Sequence, residues 1–92
     1  MTIAERFGSN LRRYRKRCGL SQEETAVRAS LHRTEIGLLE RGERLPKIDT
    51  AIKLAGALDV EPGDLLEGIV WKPGTMTRGQ FKPPPELPCD HA

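Results

Sequence analysis

Leu20-Ser21-Gln22-Glu23-Glu24-Thr25-Ala26-Val27-Arg28-Ala29-Ser30-Leu31-His32-Arg33-Thr34-Glu35-Ile36-Gly37-Leu38-Leu39-Glu40-Arg41-Gly42 contains two short helical patterns separated by one tight turn. Ser21 starts the first. Its hydroxyl can accept from the free amides of the opening turn, and Glu24, three residues on, completes a capping box. Ala26 and Ala29, with Thr25 beside them, form an inner face of small residues, and the pattern ends near Ala29–Ser30. The second helix is expected over roughly 32–41. Leu31 precedes it, Ile36 and Leu39 point inward, and Gly42 terminates it.

On the N-terminal side, Ile3, Phe7, Leu11, Tyr14 and Cys18 recur at steps of four, four, three and four. That spacing predicts one face of a helix running from about Thr2 to Arg17. Gly19 stops it, and its basic last turns complement the negative end of the helix dipole. On the C-terminal side a loop, Glu43-Arg44-Leu45-Pro46, leads to a fourth helix beginning near Lys47. It carries Ile48, Ala51, Ile52, Ala55 and Leu58 at helical spacing. Val60 and Pro62 open a short fifth helix, with proline at a first-turn position, and Leu65 and Leu66 complete the expected core. No segment before residue 68 alternates at period two, so an all-α, five-helix unit is expected.

The chain has 92 residues, enough for one small domain. Residues 1–68 hold two prolines, and residues 69–92 hold five. The folded unit is therefore placed at 1–68, and 69–92 is read as an extended, Pro-rich tail that can contribute to dimerisation. Within the tail, Ile69-Val70-Trp71 suits either a short strand or an apolar segment laid over the domain, which Met76, Gly79 and Phe81 can extend. No apolar run approaches the ~20 residues of a membrane span, and Glu5, Arg6 and Asn10 interrupt any signal-peptide core. A cytoplasmic protein with reduced thiols is expected, because Cys18 and Cys89 make no disulfide framework.

The net charge of +2 does not mark a nucleic-acid binder, since such domains often exceed a pI of ~9. Residues 1–68 carry twelve Lys/Arg and eleven Asp/Glu. Ordering matters more than the total. Arg12-Arg13-Tyr14-Arg15-Lys16-Arg17 is basic at five positions of six, and further cations surround the second short helix, whereas acids lie largely at helix starts and on the fourth and fifth helices. One positive face on a nearly neutral molecule is expected.

Two short helices on a tight turn match the helix-turn-helix pattern, whose second helix enters the major groove. Leu20-Ser21-Gln22-Glu23-Glu24, Ala26, Ile36, Leu39-Glu40-Arg41-Gly42, Pro46, Leu54-Ala55, Ala57-Leu58, Val60 and Leu65-Leu66 closely resemble the Cro/repressor-type helix-turn-helix family, over about residues 7–68. Three positions depart from it. Thr25 stands where the family usually has leucine, Ser30 where it has a turn glycine, and His32 where a serine or threonine cap is common. These departures imply modest stability.

The resemblance implies a lambda-repressor-like fold and a transcriptional regulator that binds double-stranded DNA as a homodimer. By family position the base-reading candidates are Arg33, Thr34 and Leu38. Arg33 can hold guanine through O6 and N7, Thr34 can bond a base edge, and Leu38 suits a thymine methyl. Gln22, at the positive start of its helix, suits a phosphate or an adjacent base. His32, Arg41, Arg44 and Lys47 are placed at the DNA backbone or in mixed contacts. Glu35 is expected to point sideways or to orient a basic side chain. Gly37 either lets the helix approach the groove or serves close packing. The family also implies an Arg15–Glu40 ion pair that orients the recognition helix. The candidate dimer contacts are Leu65, Ile69, Val70 and Trp71.

Other signals are weaker. Cys89-Asp90-His91 offers two metal-ligand types, short of the three or four a site needs, so no metal is expected. No phosphate-binding glycine motif or nucleophile–base grouping is present, so neither a cofactor nor an enzyme is expected. The tail's Pro85-Glu86-Leu87-Pro88 leaves two other readings open. One is an antitoxin whose tail binds a small protein partner, and the other is a protein-interaction adaptor that does not bind DNA.

Overall fold

Residues 1–82 are described by the computed structural model. Five helices follow in order: α1 (Ile3–Arg17), α2 (Gln22–Ala29), α3 (Arg33–Glu40), α4 (Ile48–Ala57) and α5 (Pro62–Leu65). Two short strands, β1 (Trp71–Lys72) and β2 (Gln80–Phe81), come after them. The all-α expectation holds for the domain. The strands add a small antiparallel ribbon in which Trp71 faces Phe81 and Lys72 faces Gln80.

Local chemistry sets the helix ends. Ser21 and Glu24 form the expected capping box at α2, and Thr2 and Glu5 form a second at α1. His32 heads α3 without a side-chain cap bond. The first four helices share one C-terminal device, a left-handed residue followed by an amide that bonds back five residues: Leu20 to Arg15, Leu31 to Ala26, Glu43 to Leu38, and Val60 to Ala55. Glycine takes the left-handed place at Gly19 and Gly42, but Ser30 (φ 55°) and Asp59 (φ 56°) take it in the other two. Ser30 thus adopts the conformation that its glycine-like position demands.

The core joins Phe7, Leu11 and Tyr14 of α1 to Ala26, Ala29, Ile36, Leu39, Leu54, Ala55, Ala57, Leu58 and Leu65. Fully burying each large aliphatic or aromatic side chain contributes ~1.5–3 kcal/mol. Thr25 is fully buried in this core, and its hydroxyl donates to the Ser21 carbonyl at 2.9 Å, so the missing leucine leaves no unpaired polar group.

Four expected core positions lie elsewhere. Ile48 and Ile52 are 82% and 55% exposed. They share one ridge of α4, and Ile52 sits two residues, about 200°, from the buried Leu54. Thr50 is buried instead. Leu66 is 47% exposed because the four-residue α5 turns only one leucine, Leu65, inward. Cys18 is exposed at the end of α1, where its thiol donates to the Leu58 carbonyl.

Candidate nucleic-acid interface

The recognition helix α3 is positioned by a close crossing with α1. A Cβ built on Gly8 would stand 2.7 Å from the Glu40 carbonyl oxygen, and the Leu39 carbonyl oxygen is nearer still. Both neighbours are backbone, so only glycine fits. At the end of α3, Gly42 is left-handed, and a Cβ there would lie 2.8 Å from the Glu5 Cα. Neither contact is legible in the sequence, because a glycine inside a helix or at its stop announces no distant partner.

Beside this crossing Arg15 and Glu40 meet as a bidentate ion pair. Arg15 Nε donates to Glu40 Oε2 at 2.5 Å and Nη2 donates to Oε1 at 3.0 Å, with side chains 12% and 5% exposed. Arg15 Nη1 also donates to the Leu20 carbonyl at 2.9 Å, and Gln22 Nε2 donates to Glu40 Oε1 at 3.1 Å. One carboxylate therefore ties the C-terminal part of α1, the start of α2 and the end of α3 together. Breaking a buried pair from one side costs about 3–5 kcal/mol, so its strength lies in fixing the arrangement more than in net stability.

Two adjoining concavities open on this cluster. One, about 280 Å³, is lined by Arg12, Arg15, Gln22, Glu40 and Arg41. The other, about 230 Å³, is lined by Gln22, Arg33, Thr34, Gly37 and Arg41. The structure thus brings Gln22, Arg33, Thr34 and Arg41 to one surface. Arg33 and Thr34 are exposed there, and Leu38 is half-buried. His32, Arg44 and Lys47 are exposed outside both linings. Arg41 Nε donates to Glu43, and both side chains of this pair are open to solvent. Guanidinium, amide and hydroxyl groups on a helix that exposes its first turn suit phosphates and base edges.

The sequence matches the helix-turn-helix family model over residues 11–65. The chain belongs to the helix-turn-helix family. It is 42% identical to control protein C.BamHI of Bacillus amyloliquefaciens, over 66% of this chain and 76% of that protein. It is 46% identical to control protein C.SmaI of Serratia marcescens, over 72% of this chain and 79% of that one. Among solved structures, the restriction-modification controller protein C.AhdI from Aeromonas hydrophila is similar, with a TM-score of 0.66 and 44% identity over 67% of this chain and 94% of that chain. The family and these relatives make the chain a DNA-binding helix-turn-helix regulator, with the α2–α3 pair as its motif.

A polar stripe on α1 meets the residues at the end of α5. Arg6 Nε donates to the Glu67 carbonyl at 2.9 Å, and Asn10 Nδ2 reaches the Leu65 and Glu67 carbonyls at 2.9 and 3.0 Å. Arg13 Nη2 and Tyr14 Oη donate to the two Glu67 carboxylate oxygens at 2.8 and 2.9 Å. A four-residue helix is too short to persist alone; this stripe and buried Leu65 hold α5 in place. The bonds from Arg13 and Tyr14 lower the Glu67 carboxyl pKa. Burial, and next the bond to Glu67, raises that of Tyr14. Arg13 therefore ties α1 to Glu67, just beyond α5, where the basic run by itself predicts only a positive face. The spacing of 6, 10, 13 and 14 was the available signal, but a polar face reads as solvated until its partner is known.

The dimer candidates separate. Leu65 is 0% exposed, so, contrary to expectation, its side chain offers no surface to a second copy and belongs to the core of its own domain. Ile69 is partly buried against that core. Val70 and Trp71 are about half exposed. Trp71 packs edge-to-face on Phe81, with ring centroids 5.0 Å apart. A Cβ on Gly79 would lie 2.7 Å from the indole ring. Met76, 95% exposed, takes no part. Pro85-Glu86-Leu87-Pro88, Cys89 and His91, on which the partner and metal readings turned, lie outside the described residues. Among the described residues no helix is long and apolar enough to cross a membrane.

Proposed function

We propose that this chain is a sequence-specific transcriptional repressor that binds a palindromic operator as a homodimer in the cytoplasm, acting by binding alone. The observation that carries the reading is the surface shared by Gln22, Arg33, Thr34 and Arg41, locked to α1 through the Arg15–Glu40 pair. Likeness to two control proteins and to a restriction-modification controller protein supports control of a restriction-modification locus as the biological setting. Arg33 and Thr34 read base edges, while Arg44, Lys47 and His32 contact the backbone. Two copies with recognition helices about 34 Å apart would read both half-sites. Exposed Val70 and Trp71 supply apolar surface for that contact.

Selection of bound sites from random duplex DNA, followed by titration of the selected site across salt concentrations, tests this. A two-fold symmetric site is expected, with affinity falling steeply as salt rises because phosphate contacts release counterions. Arg33→Ala should erase preference at one position of each half-site and leave weak non-specific binding. Failure to enrich any sequence would overturn the proposal. A selected site without two-fold symmetry would overturn the homodimer.

A further inference from the structure

Gly37 is buried although it stands on the outer side of α3. Arg41 covers it. A Cβ built on Gly37 would lie 2.9 Å from Arg41 Nη1, 3.7 Å from Cζ and 3.8 Å from Nη2. Helical side chains lean towards the N-terminus, so a long residue covers the turn before its own. At about 100° per residue, Thr34, Gly37, Leu38 and Arg41 share the side of α3 that faces away from Ile36 and Leu39. The guanidinium therefore lies back along the middle of the recognition face, not out beyond its C-terminal end. It borders the same 230 Å³ concavity as Gln22, Arg33 and Thr34.

Two features distinguish this arrangement from a phosphate clamp. A clamp needs only positive charge within reach of the backbone, which a lysine supplies equally well as a point charge. Here Nε is engaged by Glu43, so Nη1 and Nη2 form the free end of the fork. That planar pair of donors matches O6 and N7 of guanine. The absence of a side chain at position 37 is what admits the guanidinium, since Nη1 occupies space that a Cβ there would need.

We propose that Arg41 reads a guanine in the major groove through its Nη1/Nη2 fork, lying across the gap left by Gly37, with Glu43 as the positioning residue that holds Nε. This inference rests on the DNA-binding reading above and adds a specificity-determining contact to it.

Site selection from random duplex DNA with the full chain, the Arg41→Lys variant and the Gly37→Ala variant tests the proposal. Arg41→Lys keeps the charge and removes the fork. It should retain the wild-type salt dependence yet lose about tenfold to hundredfold discrimination at one guanine of each half-site. Gly37→Ala should lose discrimination at the same position, because its Cβ displaces Nη1. Alanine favours the helix, so this variant should melt no lower than wild type by circular dichroism. Retention of the wild-type preference at every position by both variants would overturn the base contact and leave the DNA-binding reading intact. Failure of the wild-type chain to select any site would overturn both.

Discussion

Gly8→Ala is the most direct test of how the recognition helix is held. Inside an isolated helix alanine is favoured over glycine by about 1 kcal/mol. At Gly8 the new methyl meets backbone, with the Glu40 oxygen at 2.7 Å, its carbonyl carbon at 2.9 Å and the Leu39 oxygen nearer still. Carbon–oxygen contacts settle near about 3.3–3.6 Å, so α1 and α3 must part by about 1 Å. No rotamer change can relieve a clash with carbonyl groups, which places the cost near the upper end of the ~1–3 kcal/mol seen for overpacking. Setting ~3 kcal/mol against the ~1 kcal/mol helix gain leaves a net loss of about 2 kcal/mol. For a domain of this size that lowers Tm by about 8–16 °C.

Gly56→Ala is the internal control. Gly56 is also helical, but nothing lies within 4 Å of a Cβ built there, so alanine should stabilise by about 0.5–1 kcal/mol. Urea unfolding followed by far-ultraviolet circular dichroism compares the two midpoints directly. Gly8→Ala should also weaken specific DNA binding, since parting the helices disturbs the Arg15–Glu40 pair. If both substitutions stabilise equally, the α1–α3 crossing is not as close as described and the argument fails.

Three other perturbations have defined outcomes. Ser30→Gly should raise the urea midpoint by the equivalent of about 0.5–1 kcal/mol, because a left-handed conformation costs a non-glycine residue ~1–2 kcal/mol and glycine's greater unfolded entropy offsets part of the gain; a lower midpoint would count against the turn geometry. Glu40→Ala should cost about 3 kcal/mol by leaving the part-buried Arg15 guanidinium without its carboxylate and should release Gln22, so loss of specific DNA binding is expected alongside a lower melting temperature. The lowered Glu67 pKa gives a signed pH effect. Its contribution is present above the ordinary carboxyl value of 4.5 and is lost as pH falls through the lower folded value. Urea midpoints of wild type and Glu67→Gln should therefore draw together as pH falls below 4.5, and a gap that persists unchanged down to the acid limit of the folded state would refute the role of the Arg13 and Tyr14 bonds.

Much of the fold lies in short-range signals. Ser21 with Glu24, and the stops at Gly19 and Gly42, are read within one or two turns, and so is the 3.6-residue recurrence of Phe7, Leu11 and Tyr14. Their physics is local, because capping and left-handed termini depend on neighbouring backbone alone. The departures at Ser30 and His32 are equally local, and their consequences, a left-handed serine and an uncapped helix start, follow without knowledge of the rest of the chain.

Tertiary structure alone decided which apolar residues of α4 and α5 face inward and what Arg13 does. Ile48, Ile52 and Leu66 carry the same hydrophobicity as Leu54 and Leu65; only the placement of α4 against α2 and α5, and of α5 against α1, distinguishes them. Gly8 and Gly37 look alike in sequence, yet one admits a backbone and the other a guanidinium. Arg13 and Arg15 stand two residues apart on one helix, and the rotation of about 200° between them sends one to Glu67 and the other to Glu40. The sequence by itself determined the helices and the family motif, because both rest on interactions within a few residues. The Arg15–Glu40 pair was implied by the family motif, whereas the partner of Arg13 was decided in three dimensions, because Glu67 lies 54 residues away in the chain.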